Sequence, residues 1–545
     1  MAPIRLAMAQ TNPVVGAIHA NIDNCFEQVR LAAAEGAQLV LFGEMVVTGY
    51  PIEDLAQRRS FVIEAEQAVQ GFAERLASSG LGHMHVVIGH PALAPEGNGW
   101  AIAQNCASVL FEGKVVGRYA KHHLPNYSVF DEYRIFVPGS EALTFEVDGT
   151  KFGVLICEDI WQSGGTVAAL KPANIDVALV LNGSPFEIGK RAARLSLVSN
   201  LAMELDASVI YVNLTGGQDD LVFDGASIAV DASGTLVASA LDFAEDRLLV
   251  TAAGKSLTLN SPARQILEFD LASVWQALVV GLRDYVEKNR FKSVVLGLSG
   301  GIDSAVCAAI ATDAIGADRV FGVSLPSKYS SDHSKSDAFD LAERLGVHIR
   351  TEGIAEIVAV AETQLGLQDL SAENLQARVR GLILMALSNA EGHLTLTTGN
   401  KTELAVGYST IYGDSVGGYA PIKDVPKTMV WELARWRNEQ SPENPPIPEN
   451  SISKPPSAEL RPGQVDQDSL PEYDELDAIL ELYIDQRLGR AEIVASGFEA
   501  ATVNRVIGLV DRAEWKRRQG AIGPKISGMA FGRDRRLPIT NAYKQ

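Results

Sequence analysis

Apolar and polar positions alternate along the first half of the chain in a way that predicts strands and helices in turn. Short apolar runs lie at 4–8 and 39–42, and between them apolar residues from Ile22 to Val29 recur at the spacing of an amphipathic helix. Further runs of strand length follow at 85–89, 106–111, 152–156, 177–181 and 208–213. This pattern predicts a layered α/β domain over residues 1–250.

The second half repeats the alternation after a polar, turn-rich stretch. That stretch runs from Thr251 to Pro262, and a helical pattern begins near Ala263, so we expect a linker over 251–266. Later apolar runs, separated by helical sequence, lie at 293–298, 320–324, 347–350 and 394–398. Strands that alternate with helices are typical of a parallel sheet, and we expect a doubly wound domain over 267–545.

A polar segment that contains several prolines lies between residues 441 and 471. A loop of this length is usually functional or disordered. The sequence leaves two interpretations equally open, a mobile surface excursion and an active-site lid.

The bulk properties of the chain indicate two cores and small-molecule partners. The chain has 545 residues, whereas a single core stops growing at about 250–300 residues. Its formal net charge of −20 disfavours a nucleic-acid partner, because phosphates would be repelled over most of the surface. The sequence shows neither a secretory signal nor an apolar run long enough to cross a bilayer, so we expect a cytoplasmic protein without a membrane partner. The four cysteines match neither a disulfide framework nor metal-ligand spacing.

A glycine loop joins an apolar run to a helical pattern at residues 297–304, which read Gly-Leu-Ser-Gly-Gly-Ile-Asp-Ser. Glycines let the main chain approach a ligand closely, and the hydroxyls of Ser299 and Ser304 add donors to the free N–H groups of the helix N-terminus. Asp303 would repel a phosphate unless a divalent cation lay between them, so its presence favours a magnesium-nucleotide. The alternative is an ordinary strand-to-helix turn capped by Ser299.

Three polar residues each follow a strand-like run in the first half: Glu44, Lys121 and Cys157. Their residue types and spacing do not suit zinc. They suit covalent acyl chemistry, in which a thiol attacks an amide carbonyl, a carboxylate takes the thiol proton and an ammonium stabilises the oxyanion. Each residue alone also fits a structural role, and spacing does not choose between these interpretations.

Three motifs around these residues resemble the nitrilase, or carbon–nitrogen hydrolase, superfamily in its usual order. They are Gly43-Glu44-Met45-Val46-Val47-Thr48-Gly49-Tyr50-Pro51, Tyr119-Ala120-Lys121-His122-His123-Leu124-Pro125 and Cys157-Glu158-Asp159-Ile160-Trp161. The resemblance implies an αββα sandwich with Glu44 as general base, Lys121 as oxyanion stabiliser and Cys157 as nucleophile. It also implies that Glu132 is the second glutamate of that superfamily.

The loop at 297–304 lacks the Gly-Lys-Ser/Thr of a Walker loop and the Gly-x-Gly-x-x-Gly of a dinucleotide fingerprint. It resembles the ATP-pyrophosphatase type, whose enzymes adenylate an acid, release pyrophosphate and let a nucleophile displace AMP. Four later motifs resemble the NAD synthetase family: Glu373-Asn374-Leu375-Gln376-Ala377-Arg378-Val379-Arg380, Thr397-Thr398-Gly399-Asn400-Lys401-Thr402-Glu403, Gly407-Tyr408-Ser409-Thr410-Ile411-Tyr412-Gly413-Asp414 and Pro421-Ile422-Lys423-Asp424.

The second resemblance implies a role for residues spread over the second half. Asp303 and Glu403 would hold magnesium, Thr398 would contact ATP, and Asn374, Glu403 and Lys516 would contact deamido-NAD. Lys516 equally fits an exposed basic helix face. The remaining expected ATP contacts are Gly297, Leu298, Ser299, Gly300, Gly301, Ile302, Asp303 and Ser304.

Taken together, the motifs from Glu44 to Lys516 resemble the glutamine-dependent NAD synthetase family. The resemblance implies an N-terminal αββα glutaminase followed by a doubly wound ATP-dependent amidating domain, with ATP as co-substrate and a homo-oligomeric assembly. Tyr127, Ser184 and Lys190 would bind glutamine, and Arg191 competes with Lys190 for its carboxylate. Because protonated ammonia is not a nucleophile, we also expect a protein-enclosed ammonia passage.

Two other functions stay open at this point. Another glutamine amidotransferase with the same ATP loop would adenylate its own acceptor and ignore deamido-NAD. A non-catalytic scaffold that keeps only the nitrilase-like surface would not need Cys157.

Overall fold

A computed structural model describes residues 2–262, 271–330, 332–457, 459–461 and 463–543. The chain divides into two compact units. One comprises Met1–Gln218 and Val222–Phe269, and the other comprises Asp219–Leu221 and Asp270–Gln545. None of the described helices is both long and apolar enough to span a membrane.

The first unit is built from two large sheets and four α-helices within residues 2–262. Its strands are β1 (Ile4–Gln10), β2 (Leu39–Phe42), β3 (His85–Asn98), β4 (Ala101–Phe111), β5 (Lys114–Ala120), β6 (Thr144–Val147), β7 (Thr150–Ile156), β8 (Val177–Asn182), β9 (Ser208–Asn213), β10 (Thr215–Gln218), β11 (Leu221–Asp224), β12 (Ile228–Val230), β13 (Leu236–Ser239), β14 (Asp246–Ala253) and β15 (Ser256–Leu259). Its helices are α1 (Ile18–Ala34), α2 (Arg59–Ser78), α3 (Gly165–Leu170) and α4 (Lys190–Leu205). The strand orders are β15-β14-β1-β2-β3-β4-β5 in one sheet and β13-β12-β9-β8-β7-β6 in the other, and β10 pairs with β11.

The two large sheets pack face to face and carry helices on their outer faces, which confirms the expected αββα sandwich. Strand β8 shows how the sequence directs this packing, since its side chains alternate between faces. Val177, Leu179 and Leu181 lie in the core between the sheets. Ala178 and Val180 lie in a second core that α3 and α4 cover. Both faces of β8 are therefore apolar, as the continuous run at 177–181 indicates.

The first sheet extends beyond residue 250, which was the end of the domain predicted from the sequence. Strand β14 continues to Ala253, and β15 pairs with it antiparallel, with Thr251 opposite Thr258. The polar, turn-rich composition arises because β15 is an edge strand with alternate residues exposed. The expected linker over 251–266 therefore starts within the sheet, and its residues 263–266 lie outside the described residues.

The second unit contains a four-stranded sheet of β16 (Val294–Gly297), β17 (Val320–Ser324), β18 (His348–Thr351) and β19 (Leu394–Thr395). All its strands are parallel, in the order β18-β17-β16-β19, which confirms the doubly wound sheet. Strand β19 is shorter than the run at 394–398, because the N–H of Thr397 leaves the sheet and donates to Tyr419 O at 3.0 Å. The helices are α5 (Leu271–Lys288), α6 (Ile302–Ile315), α7 (Asp332–Leu345), α8 (Ala355–Leu365), α9 (Asp369–Glu391), α10 (Lys401–Val406), α11 (Lys427–Glu439), α12 (Glu449–Ser453), α13 (Tyr473–Leu480), α14 (Arg490–Ala495), α15 (Ala500–Arg512) and α16 (Glu514–Arg517).

Candidate functional site

Glu44, Lys121 and Cys157 converge in the first unit, although they follow strands of two different sheets. Glu44 lies beyond the end of β2, Lys121 directly follows β5, and Cys157 directly follows β7. Lys121 Nζ donates to Glu44 Oε1 at 2.8 Å, and the charges of both residues act on the Cys157 thiol. Each of the three is at most 6% exposed. Packing of the sheets has therefore assembled the carboxylate, ammonium and thiol that the motifs predicted.

Glu132 joins the same cluster from a short 3₁₀ helix at Glu132–Arg134. Lys121 Nζ lies 2.9 Å from Glu132 Oε2, so the ammonium is held between two carboxylates. The hydroxyl of Tyr50 donates to Glu132 Oε1 at 2.8 Å. Tyr50 belongs to the Glu44 motif but was not among the site residues predicted from the sequence.

The carboxylate of Glu44 is fixed by further donors from separate parts of the chain. Asn105 Nδ2 donates to Oε1 at 2.6 Å, and the Gly183 N–H donates to Oε2 at 2.8 Å. A Cβ at Gly183 would lie 2.9 Å from Cδ1 of Tyr50 and 3.3 Å from Glu44 Oε2, so the close approach requires glycine. Asn105 lies in the middle of β4 with no local signal, and only the tertiary structure identifies it.

The electrostatics of the cluster keep the thiol protonated and the lysine charged. Burial, assisted by Glu44, raises the pKa of the Cys157 thiol well above its ordinary value, while Lys121 acts in the opposite direction. Burial alone would lower the pKa of Lys121, but Glu132 and Glu44 more than offset it and raise this pKa. Burial raises the pKa of Glu132 to about 7, although Lys121 opposes the shift. A base must therefore take the thiol proton before Cys157 can attack.

The backbone at Cys157 is also unusual. Its φ angle is +42°, in the left-handed region that non-glycine residues seldom adopt. Cys157 starts a 3₁₀ helix, Cys157–Ile160, at the point where β7 ends. Such strain persists only where the surrounding structure imposes it, and it is concentrated at functional sites.

The residues expected to bind glutamine differ in their contacts and in their exposure to solvent. Tyr127 is half-exposed, its hydroxyl donates to Glu158 Oε2 at 2.9 Å, and its ring lies 5.9 Å from that of Phe130. The ammonium of Lys190 lies 6.0 Å from the centroid of the same Phe130 ring. Arg191 forms an ion pair with Asp242.

Ser184 is held by a buried network rather than open to solvent. Arg194 Nε donates to Ser184 Oγ at 3.2 Å, and Arg194 Nη1 donates to both oxygens of Asp224 at 2.7 Å. The Ser184 N–H donates to Asn213 Oδ1 at 2.9 Å. The Arg194–Asp224 pair therefore fixes the loop on which Ser184 lies.

In the second unit, the glycine loop runs from the end of β16 to the start of α6. Gly301 N–H donates to Ser299 Oγ at 3.2 Å, and Ser304 Oγ donates to Gly301 O at 3.0 Å. Gly300 has a φ of +77°, and a Cβ there would lie 2.4 Å from the carbonyl oxygen of Ser334. Glycine is thus required at the turn, as the loop motif predicts.

This loop opens onto a cavity of about 990 Å³. The cavity has the size of a nucleotide or cofactor site. Every residue expected to contact ATP, magnesium or deamido-NAD lines it except Gly300. These lining residues are Gly297, Leu298, Ser299, Gly301, Ile302, Asp303, Ser304, Asn374, Thr398, Glu403 and Lys516.

Lys427, at the start of α11, connects the two carboxylates expected to bind magnesium. Its Nζ lies 2.5 Å from Asp303 Oδ2 and 3.1 Å from Glu403 Oε1. Asn400 Nδ2 donates to the other oxygen of Asp303 at 2.8 Å. Lys427 was not among the site residues predicted from the sequence. It follows the Pro421-Ile422-Lys423-Asp424 motif by three residues.

The donor set fits magnesium only in combination with a nucleotide. Among the described residues, no group of three or more His, Cys, Asp or Glu side chains could hold a metal ion. Mg²⁺ is commonly bound by one or two carboxylates together with substrate phosphates. Asp303 and Glu403 supply such a pair of hard oxygen ligands on the cavity wall.

Asn374 and Lys516 both stabilise the cavity wall through hydrogen bonds. Asn374 Oδ1 accepts from Thr410 Oγ1 at 2.8 Å. Lys516 Nζ donates to the carbonyl oxygens of Gly407 and Ser409 at 2.8 and 2.7 Å, and burial lowers the pKa of Lys516. Because Gly407 ends α10, Lys516 supports the helix that carries Glu403.

The proline-bearing segment forms part of the cavity wall. Ser451 Oγ donates to the carbonyl of Gly300 at 3.1 Å, and Gln376 Nε2 donates to the Leu460 carbonyl at 3.2 Å. Its lining residues include Ser451, Lys454, Pro455, Pro456, Ser457, Glu459, Leu460, Arg461, Gln464, Asp466 and Ser469. Of the two interpretations left open by the sequence, these contacts favour a functional element of the site.

Comparison with known proteins relates each half of the chain to a described family. Residues 5–257 match the carbon-nitrogen hydrolase family, and residues 274–520 match the NAD synthase family. The glutamine-dependent NAD(+) synthetase of Acinetobacter baylyi is 46% identical over 555 residues, covering 100% of this chain and 99% of that protein. The structure of the glutamine-dependent NAD+ synthetase from Acinetobacter baumannii with ADP is 44% identical, covers 100% of this chain and 99% of that chain, and has a TM-score of 0.78. The glutamine-dependent NAD(+) synthetase structure from Cytophaga hutchinsonii, 22% identical over 99% of this chain and 98% of its own, shares the fold with a TM-score of 0.84.

Proposed function

Since this chain belongs to the glutamine-dependent NAD(+) synthetase family, we propose that it amidates deamido-NAD to NAD with ATP and takes the nitrogen from glutamine. AMP, pyrophosphate and glutamate are the other products. We assign the release of ammonia to the first unit and its consumption to the second. The observation that carries the assignment of the second unit is the cavity of about 990 Å³, which the expected nucleotide residues line together.

The proposed glutaminase reaction begins with proton transfer from Cys157 to Glu44. This step is required because the pKa of the buried thiol is raised. The sulfur then attacks the side-chain carbonyl carbon of glutamine, and Lys121 stabilises the oxyanion by its positive charge. The carbon–nitrogen bond breaks, Glu44 returns the proton to the departing nitrogen, and a thioester and ammonia result. Water activated by Glu44 then hydrolyses the thioester to glutamate and regenerates the thiol.

Glu132 has a supporting role in this proposal. It shares the Lys121 ammonium with Glu44, and Tyr50 fixes its orientation. Tyr127, Ser184 and Lys190 would orient glutamine, with Lys190 opposite its α-carboxylate. The support is that both Tyr127 and Lys190 lie near the ring of Phe130.

In the second unit, the nicotinate carboxylate of deamido-NAD would attack the α-phosphorus of ATP and release pyrophosphate. Ammonia then attacks the adenylated carboxyl carbon, AMP departs and the new amide loses a proton. The N–H groups and hydroxyls of the glycine loop would bind the phosphates, and Lys427 would offset their charge. Asn374, Glu403 and Lys516, which line the same cavity, would contact the dinucleotide.

Magnesium is the metal that we propose for this site, with Asp303 and Glu403 as its protein ligands. A bound Mg²⁺ supplies positive charge that stabilises the negative charge of the departing pyrophosphate. The relative from Acinetobacter baumannii was solved with ADP, which supports an adenine nucleotide in this cavity.

The proposal is tested with the purified full chain, glutamine, ATP, magnesium and deamido-NAD. NAD, AMP and pyrophosphate should form in equal amounts, together with at least as much glutamate. AMP release that does not depend on deamido-NAD, but appears with another acceptor acid, would instead indicate a different amidotransferase. Absence of both glutamate and AMP would favour the scaffold.

Three finer points remain proposals. We propose a protein-enclosed passage for ammonia, which fails if low external ammonium competes freely with nitrogen from labelled glutamine. We also propose a homo-oligomer, which light scattering of the purified protein tests. A cytoplasmic location is the third, and fractionation of cells that produce the protein tests it.

A further inference from the structure

We propose that Asp159 is a positioning residue that holds the Cys157 nucleophile and the Lys121 ammonium in register with each other. The inference rests on the glutaminase half of the proposed function. It concerns a side chain that would not contact glutamine and acts through the backbone on two residues that would.

The carboxylate of Asp159 joins the two strand ends on which these residues lie. Its Oδ2 accepts the Ile156 N–H at 3.0 Å, immediately before Cys157. Its Oδ1 accepts the N–H groups of His122 and His123, both at 3.0 Å, immediately after Lys121. One side chain therefore fixes the end of β7 and the segment that leaves β5.

A fourth hydrogen bond to Asp159 comes from a side chain, and the Nδ1 atom of His123 lies 3.9 Å from Oδ1. The hydroxyl of Tyr119 donates to Oδ2 at 2.6 Å, and the same hydroxyl lies 2.7 Å from Thr166 Oγ1. Asp159 is 0% exposed, so water cannot replace any of these bonds. A buried carboxylate must be compensated by donors, and bonds from N–H groups to an ionised acceptor are stronger than neutral ones.

The position of these bonds along the chain explains why they matter for Cys157. The residue has a φ of +42° and is preceded by Ile156, whose N–H Asp159 accepts. Asp159 itself follows Cys157 by two residues within the Cys157–Ile160 turn. The Asp159 carboxylate thus links the residue before Cys157 to the turn that follows it, and this link holds the strained backbone in place.

An amide at this position cannot make the same set of bonds. Asparagine has the shape of aspartate, but its NH₂ group is a donor. Two backbone N–H groups face Oδ1 of Asp159, and one backbone N–H and one hydroxyl face Oδ2. Whichever oxygen the NH₂ group replaces, it would point at an N–H donor. Asp159→Asn therefore loosens one strand end relative to the other without creating a cavity.

Strand β7 itself offers a matched control. Asp176 Oδ2 accepts the Lys151 N–H at 2.9 Å, at the opposite end of β7 from Ile156. Asp176→Asn makes the same change from carboxylate to amide beside the same strand, far along the strand from Cys157, and its amide oxygen can still accept the Lys151 N–H. Tyr119→Phe is a second control, because it removes one donor to Asp159 and leaves the three backbone bonds.

The experiment measures glutamine hydrolysis by the full chain over a range of glutamine concentrations. We expect Asp159→Asn to lower kcat by about 100-fold, because misplacing a reacting group by about 1 Å has that effect. The KM for glutamine should change by less than about threefold, since the lost interaction acts on the reacting atoms rather than on substrate binding. Asp176→Asn and Tyr119→Phe should keep most of kcat. Thermal unfolding of each variant shows whether it is folded, so that kcat refers to folded protein.

Two results overturn the inference. One is a normal kcat in Asp159→Asn. The other is a parallel loss of kcat, glutamine affinity and thermal stability in both Asp159→Asn and Asp176→Asn, which indicates a structural role. If the wild-type protein itself hydrolyses no glutamine, the proposed function fails instead.

A measurement on the unaltered protein covers the case in which Asp159→Asn does not fold. Amide hydrogen exchange should be slow at Ile156, His122 and His123 together, because one carboxylate binds all three N–H groups. Rapid exchange at either strand end also overturns the inference.

Discussion

Lys427 places its ammonium 2.5 Å from Oδ2 of Asp303, at the wall of the nucleotide-sized cavity. The side chain is 1% exposed, and the carboxylates of Asp303 and Glu403 raise its pKa although burial opposes this. The ammonium also lies 5.4 Å from the ring centroid of Tyr473. A permanent positive charge is therefore built into the wall where we expect the phosphates of ATP.

We predict that Lys427→Met lowers NAD synthesis by about 100-fold or more, because a preorganised charge opposite the departing pyrophosphate is lost. The loss should be equal with glutamine and with ammonia, since both nitrogen sources use the same adenylated acid. Glutamine hydrolysis without ATP should continue. Pyrophosphate release and glutamate formation measure the two activities.

Lys423→Met is the matched control for Lys427→Met. Lys423 lies in the preceding motif, donates to the Ala521 carbonyl at 2.5 Å and is absent from the cavity lining. A similar loss in both variants would show that removing a buried lysine disrupts this region in general.

We predict that Cys157→Ala separates the two activities completely. Glutamine-driven synthesis should fall on the order of 10⁴-fold or more, because the covalent route disappears with its nucleophile. Ammonia-driven synthesis should be unchanged. Cys106→Ala, a substitution at a fully buried thiol in β4, should leave both rates intact. Glutamine-driven synthesis by Cys157→Ala would contradict the assigned nucleophile.

We predict that Glu44→Gln has opposite effects on hydrolysis and on alkylation of Cys157. The negative charge of Glu44 contributes to the raised pKa of the thiol. Its removal lowers this pKa, so more thiolate is present at any pH below it, and iodoacetamide should react faster. Glutamine hydrolysis should instead become slower, because the base that accepts the thiol proton is gone.

The pH dependence of alkylation supplies the test of this sign. In the wild-type protein the rate should rise about tenfold per pH unit through neutral pH and show no plateau below pH 9, as expected for a raised thiol pKa. The curve for Glu44→Gln should lie at lower pH. Cys157→Ala should remain unlabelled throughout, because the other three cysteines are at most 1% exposed, whereas Cys157 is 6% exposed. Slower alkylation in Glu44→Gln would contradict the electrostatic explanation.

We predict that Gly89→Ala disrupts the glutaminase site from within β3. A Cβ at Gly89 would lie 2.5 Å from the Met45 nitrogen and 2.6 Å from the Gly43 carbonyl oxygen, which flank Glu44. Because these are backbone atoms, relief requires movement of the segment that carries Glu44. We expect a loss of about 1–3 kcal/mol in the free energy of unfolding, together with loss of glutamine hydrolysis. Chemical denaturation measures the first effect.

Gly71→Ala is the control for Gly89→Ala. Gly71 lies on the exposed side of α2, and no heavy atom outside its own helix would be within 4 Å of an added Cβ. Alanine should stabilise the helix by about 0.5–1 kcal/mol. Equal destabilisation by both substitutions would refute the steric argument.

Local patterns predicted most of the strands because each carries its own apolar signal. The run at 177–181 became β8, and the run at 320–324 became β17. Edge strands were harder to predict, since β15 exposes every second side chain and resembles a linker in composition. The strand predicted at 394–398 was too long for a different reason. Strand β19 ends at Thr395, and the N–H of Thr397 bonds outside the sheet, which the residue pattern does not show.

The chain sequence by itself determined the chemical groups and the loops that present them. Glu44, Lys121 and Cys157 stand at strand ends, and the glycine loop stands between a strand and a helix, so motifs of adjacent residues were sufficient to identify them. Asn105, Lys427 and the bonds of Asp159 were decided only by the tertiary structure. Apart from Ile156, their partners are distant along the chain, and a hydrogen bond or an ion pair depends on distances of about 3 Å that no local pattern encodes.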